Sequence, residues 1–347
     1  MKKNKVILVG AINEGNTPTC GETMKNQLFV KRFNELFDKV ITVDTLNWKR
    51  RPWVLFRLLF ALLFNRGAKV VISASPISAD IVIKFLYYIR LKKDVFYWVV
   101  GGSLHNMVKE CKIKTNHMRY LKAILVQGTI MCKELQEAGL DNVIYIPNSK
   151  YIDYIPAKSQ DGQQDKIHFV FLSRISPYKG CDYIFESVKE LNMQYADKFD
   201  VTFFGRIESG YNSFQKSIEL FENVRYKGVL NLLSGNSGYE ELAQYDVMLF
   251  PTYWDGEGFP GVVIDAYISS LPIIATNWNL NTDVIEDGKD GWIIPVHDVE
   301  ALTAAMKNVI EHPETLDSKV NHINKKALQY DCRNILTQEL FKHLGLL

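Results

Sequence analysis

Two series of short apolar runs constrain this chain more than any other feature. VILVGA, KVITVDT, KVVISAS, DVFYWVV, AILVQG and VIYIPN form the first; HFVFLSR, DVTFFGR, VRYKGVL, DVMLFPT, LPIIATN and GWIIPV form the second. Each is β-branched or aromatic and nearly continuous rather than alternating, as expected of a strand buried on both faces. Segments between them, such as GETMKNQLFVKRFNELF, carry apolar residues at helical spacing. Strand and helix in alternation predict α/β architecture with parallel sheets, and the polar, Pro- and Gly-containing SKYIDYIPAKSQDGQQDK between the series reads as a linker between two Rossmann-like domains. A chain of 347 residues is more than one core usually holds. The domains are expected at 1–155 and 156–329, with 330–347 a helix returning to the first. In such sheets ligands bind beyond the carboxyl ends of the strands, so chemistry is sought in the loops there.

Several function classes fall away. Five scattered cysteines without CxxC or Cys/His spacing suggest neither a disulfide framework nor a zinc site, and fit a reducing cytoplasm. VGAINEG after the first strand does not supply the GxGxxG of a dinucleotide enzyme, and no Walker loop occurs. The charge is unevenly spread: residues 1–150 hold 24 Lys and Arg against 11 Asp and Glu, a net of +13, and the remainder nets −11. One half therefore suits an anionic surface. No recognised motif supports nucleic acid. The stretch NWKRRPWVLFRLLFALLFNRGAKV favours lipid, its twelve-residue apolar run being too short to span a bilayer but able to lie on one. A buried helix of an α/β domain is the alternative, and both readings stand at this point.

The second half carries the chemistry. In DGEGFPGVVIDAY, Glu257 precedes a glycine-rich turn and Asp265 lies about one turn into the helix that follows. The free N–H groups of that helix start, at Gly261 and Val262, make a phosphate site, and a carboxylate can accept two hydroxyl hydrogen bonds from a vicinal diol. Diol, phosphate and polyol together describe a nucleotide sugar. Upstream, FLSRISPYKG places Arg174 and Lys179 at the mouth of the second sheet, where two fixed cations can neutralise a diphosphate.

Arg174-x4-Lys179-Gly180 followed by Glu257-x7-Asp265 resembles the retaining, GT-B-fold glycosyltransferases of family 4. PTCGETMKN, ILVQGTIMCKELQEAGLDNVIYIPNS and DGKDGWIIPVHDVEAL resemble further segments of that family. The second acid is usually Glu there, and its glycine pair is here Cys20-Gly21. The resemblance implies two Rossmann-like domains facing across a cleft, the first on the acceptor side and the second binding the donor. It assigns Asp265 to ribose hydroxyls, Glu257 to the transferred sugar, and the backbone of Gly258, Phe259, Pro260, Gly261 and Val262 to phosphate. Arg174 and Lys179 would hold the diphosphate, and Gly228, Val229 and Leu230 the base. Gly21 would face donor phosphate or acceptor, or is simply a helix start. His105, after FYWVVGGSL, would contact the donor sugar, or is a surface residue. Asn148 fits a structural turn, and His117 and Tyr178 carry no argument.

The implied reaction is hexosyl or N-acetylhexosaminyl transfer with retention from a nucleotide-diphosphate sugar, UDP favoured, to a glycan acceptor. A lipid-linked acceptor suits the basic, apolar first half. The partners are thus nucleotide sugar, acceptor and an anionic membrane reversibly met from the cytoplasmic side, without nucleic acid. No cofactor and no metal are expected, since Arg174 and Lys179 do a metal's electrostatic work. A GT-B-fold sugar-nucleotide epimerase is the rival. On this reading Lys179→Ala loses transfer while melting normally.

Overall fold

The computed structural model describes residues 4–16, 20–90, 92–158, 166–232 and 237–347. Residues 159–165 of the expected linker, and Thr17 to Thr19 of the segment before Gly21, lie outside them. The chain divides into two compact units, Met1–Tyr151 with Asp331–Leu347, and Ile152–Tyr330. Each is an α/β Rossmann-like fold.

The first unit is built on β1 (Lys5–Gly10), β2 (Lys39–Asp44), β3 (Lys69–Ala74), β4 (Val95–Val99), β5 (Ala123–Val126) and β6 (Val143–Tyr145). All pair in parallel, in the order β2-β1-β3-β4-β5-β6. Their continuous apolar runs arise because both faces are covered. One face packs under helices Trp53–Phe64 and Pro76–Tyr88, which contribute Val54, Leu58, Ile83 and Leu86. The other packs Phe29 and Phe33 of helix Gly21–Leu36 onto Phe96 and Trp98. The last residues join this second layer: Phe341 meets Phe33 edge-on at 5.7 Å, and Arg32 Nε donates to the Leu336 carbonyl at 3.0 Å. The strand order reverses between β1 and β3, and Gly10 there admits no side chain, since a Cβ would lie 2.2 Å from the Ser73 carbonyl oxygen.

The second unit uses β7 (Ile167–Leu172), β8 (Phe199–Phe204), β9 (Val224–Tyr226), β10 (Val247–Phe250), β11 (Ile273–Thr276) and β12 (Gly291–Ile294). They are again parallel, in the order β12-β11-β10-β7-β8-β9. Counted from β7 this is the dinucleotide-fold order 3-2-1-4-5-6, with its crevice between β7 and β10. The seventh to twelfth expected strands fall where the apolar runs lie, but VRYKGVL is strand only to Tyr226: Gly228 takes the left-handed conformation, φ 78°, and the chain turns off the sheet. Helix Thr315–Gln329 packs Ile323 and Ala327 into the apolar layer of helix Gly261–Ile268.

Candidate functional site

The crevice between β7 and β10 collects most of the residues the sequence singles out. The chain leaving β7 passes Arg174 and forms a single 3-10 turn, Pro177–Lys179, before helix Cys181–Tyr195. Gly180 joins turn to helix at φ 77°, and a Cβ there would come within 2.2 Å of the Pro251 carbonyl oxygen. Glycine is thus required by both conformation and space, and it brings the loop after β7 against the loop after β10. Lys179, 7% exposed, turns inward and its ammonium pairs with Glu257, itself 8% exposed. Thr252 Oγ1 donates to the same carboxylate oxygen at 3.1 Å, and the Trp254 ring lies 4.7 Å from the Lys179 Nζ. Two charges with so little water need this mutual pairing, because an isolated buried ion is costly.

Arg174 stands apart from that pair. Its guanidinium is 5.6 Å from the Trp254 ring and 3.8 Å from the Glu208 carboxylate, half exposed to solvent. Glu257 and Asp265 likewise have different partners. Asp265, 4% exposed within helix Gly261–Ile268, accepts from the Tyr239 hydroxyl at 2.9 Å. That helix begins after Pro260 without a side-chain cap, and the segment from Gly258 to Val262 leads into its first turn, with Phe259 and Pro260 buried. Asn279 Nδ2 and Trp278 Nε1 fix the turn by donating to the carbonyls of Glu257 and Trp254, at 3.1 and 2.9 Å. Gly228 closes on the same sheet edge, its carbonyl accepting from Gly205 N at 2.8 Å, while Val229 is exposed and Leu230 half-buried.

His105 and Gly21 belong to the first unit. His105 lies on the short helix Leu104–Lys109 after Gly101, which takes φ 93°. Its Nε2 is 4.0 Å from the Glu134 carboxylate, and burial holds its pKa below the ordinary value. Gly21 opens helix Gly21–Leu36 in open space, and Cys20 N donates to Thr23 Oγ1 at 3.1 Å. His117 packs edge-on against Tyr87 at 4.9 Å.

Sequence reasoning missed Thr252, Trp254 and Tyr239, whose signal is only their nearness to strand ends and to the acids. It also missed a pair in the first unit. Glu22 accepts from the backbones of Ala11 and Ser75, the residues just beyond β1 and β3, and burial raises its pKa. Lys25, one turn on, donates to the Val99 carbonyl at 3.1 Å, and burial pulls its ammonium down to about 7 against the pull of Glu22. For a metal, Glu286, Asp290 and His322 bring ligand atoms within 4.8 Å of one another, the one such group among the described residues. The Lys326 ammonium already sits on Asp290 and 3.3 Å from Glu286, filling that place with a protein cation.

Residues 156–328, about half the chain, match the family described as Glycosyl transferases group 1. This segment belongs to the group 1 glycosyltransferase family. The group 1 segment contains Lys179, Glu257 and Asp265 with their partners. Among curated relatives, the putative colanic acid biosynthesis glycosyltransferase WcaL of Salmonella typhimurium is 26% identical over 47% of this chain and 41% of its own length. The UDP-Gal:alpha-D-GlcNAc-diphosphoundecaprenol alpha-1,3-galactosyltransferase of Escherichia coli is 27% identical over 67% of this chain and 54% of its own. The chain thus spans about half the length of these relatives. Anabaena HepE, solved in complex with UDP, shares the fold with a TM-score of 0.72 at 14% identity, covering 99% of this chain and all of its own.

Proposed function

We propose that this chain is a retaining, family 4 glycosyltransferase that moves a hexosyl or N-acetylhexosaminyl group from a UDP-sugar to a lipid-linked glycan in cell-surface polysaccharide or glycolipid assembly. The observation that carries it is the buried Lys179–Glu257 pair, braced by Thr252, at the β7/β10 crevice of a group 1 segment. An arriving diphosphate competes with Glu257 for the ammonium and frees the carboxylate for sugar hydroxyls. Arg174 reaches the same anion from the solvent side, and the N–H groups of Gly258, Phe259, Gly261 and Val262 add the positive end of the helix dipole. Asp265, oriented by Tyr239, takes the ribose hydroxyls, and Gly228 to Leu230 line the base. His105 serves the donor sugar, and Gly21 donor phosphate or acceptor.

In the transfer the anomeric C–O bond to the diphosphate breaks as the acceptor oxygen bonds the same face, and the acceptor proton passes to the departing diphosphate oxygen. Lys179, Arg174 and the helix start stabilise the charge that grows there, so no metal is required. The names of the Escherichia coli relative and of the HepE complex support UDP and a diphospholipid acceptor. Transferase names among the relatives leave the epimerase without support. Membrane contact through the basic first unit completes the reading; among the described residues no helix is long and apolar enough to cross a bilayer.

Incubation with UDP-sugars and polyprenyl-diphosphate glycans, with the product's anomeric configuration read by NMR, is the test. Glu257→Gln is expected to keep UDP affinity and lose transfer by about 10²-fold or more, whereas Asp265→Asn weakens UDP binding itself. An inverted product, or full turnover by Glu257→Gln, would sink the reading.

A further inference from the structure

We infer that the aromatic side chains gathered around Tyr253 form a shelf for a pyranose ring, and that this ring is a sugar of the acceptor glycan next to the one that is glycosylated; the second statement rests on the transferase reading proposed above. Tyr253 and Trp254 follow β10, Tyr178 lies in the turn Pro177–Lys179 after β7, Tyr183 is in the first turn of helix Cys181–Tyr195, and His297 comes after β12. The rings of Tyr178, Tyr183 and His297 stand 6.0, 5.4 and 4.5 Å from that of Tyr253, centroid to centroid. The shelf thus stands at the carboxyl end of the second sheet, where ligands of such folds bind. It is continuous with the site already described: Tyr178 directly precedes Lys179, its carbonyl accepts from Tyr253 N at 2.9 Å, and the Trp254 ring faces both Lys179 and Arg174.

Core packing does not account for these rings. Tyr178 is 57% exposed, and His297, also exposed, holds its ring at φ 60°, where glycine would be relaxed. Angle and charge decide the ligand. The Tyr178 and His297 planes are inclined at 65° and 58° to that of Tyr253, so the walls suit a thick, puckered ring rather than a flat base laid between parallel faces. The axial C–H groups of a pyranose carry a slight positive charge and meet the negative faces of the aromatic rings. Its hydroxyls have polar partners at the rim in the Tyr183 hydroxyl and His297, whose Nδ1 is bonded to that hydroxyl at 2.6 Å. The acids beside these two in the chain are engaged already, Asp182 by the Tyr211 hydroxyl at 2.5 Å and Asp298 by Ala301 N at 2.8 Å, and Lys179 is held by Glu257. A charged ligand would have to break such pairs, whereas a neutral sugar leaves them intact.

The probes are cellobiose and lactose, whose pyranose rings present C–H faces, with sorbitol as the control that has hydroxyls but no ring. Saturation-transfer NMR on the full chain is expected to saturate the ring C–H protons of the disaccharides and to leave sorbitol dark. Tyr178→Ala, or His297→Ala should the first variant fold poorly, should weaken disaccharide binding by about tenfold, and Tyr178→Phe, which keeps the ring, should retain it. No saturation of either disaccharide, equal saturation of sorbitol, or undiminished binding in the folded alanine variant overturns the shelf. The acceptor assignment is read from KM: the alanine variant should raise it by about tenfold for a two-sugar acceptor and by much less for the one-sugar counterpart. An equal change for both acceptors overturns that assignment while the shelf stands. Absence of glycosyl transfer from every nucleotide sugar overturns the transferase reading and the acceptor assignment with it, and the shelf is still decided by the disaccharides.

Discussion

Lys179 and Glu257 are 78 residues apart in the chain, and each reads from sequence as waiting for a ligand; in the fold they are each other's partner. That corrects the expectation that Lys179→Ala melts normally. Removing the ammonium leaves a buried carboxylate whose side-chain partner among the described residues is Thr252, so unfolding in urea should show a loss of about 3–5 kcal/mol. The double variant Lys179→Met, Glu257→Gln should recover much of that stability while remaining inactive. A wild-type midpoint for the single variant would remove the structural role. Lys25 makes a second prediction. Its folded-state pKa of about 7 lies below the ordinary lysine value, so the unfolded chain holds the extra proton between the two. Stability therefore rises as pH climbs from about 7 toward 10, and the cost of the buried ammonium is fully present below 7. Lys25→Met should raise Tm at pH 6 and lose that advantage toward pH 10; a gain independent of pH would mean the ammonium is solvated.

At the scale of elements, helix Trp53–Phe64 resolves the choice between buried helix and surface helix by being both. Val54, Leu58, Ala61 and Leu62 enter the core, while Trp53, Phe56, Phe60, Leu63 and Phe64 remain outside. An apolar run with no polar face gives no periodicity to read, so the sequence could not tell which side met the sheet. Helix Pro76–Tyr88 widens the band with Ile77, Ile81 and Tyr88, an extension the sequence does not signal because its exposed residues look like core. Each Lys or Arg beside the band contributes about 1 kcal/mol of attraction to an anionic bilayer, screened within about 10 Å at 0.1 M salt. The protein should therefore co-sediment with anionic vesicles at low salt, leave them at high salt, and be poorly retained by neutral ones. Phe60→Ser with Phe64→Ser should weaken retention without lowering Tm, both rings being exposed. Equal partition into both kinds of vesicle, or into neither, would reject membrane contact.

At the scale of the whole molecule, the first unit is discontinuous in sequence, and residues 331–347 complete it. Deleting that segment removes Leu336, Phe341, Leu344 and Leu346 from the layer containing Phe33 and Phe37. Hydrogen exchange after truncation at Tyr330 should quicken in β1 and β4 and leave β7 and β10 unchanged; protection lost equally in both sheets would refute the assignment. Alternation of buried strand and amphipathic helix is a local pattern, so the α/β class, the two series of parallel strands and the glycine-rich turn into helix Gly261–Ile268 were determined by sequence alone. The charge contrast between the halves was equally plain. Strand order was not, because register and neighbour are chosen by packing between segments far apart in the chain. That order sets β7 beside β10 and thereby Lys179 against Glu257, Tyr239 against Asp265, and Glu22 beneath the ends of β1 and β3. Only the tertiary structure could decide these pairings, since burial and the partners that make it tolerable exist nowhere in the chain until it folds.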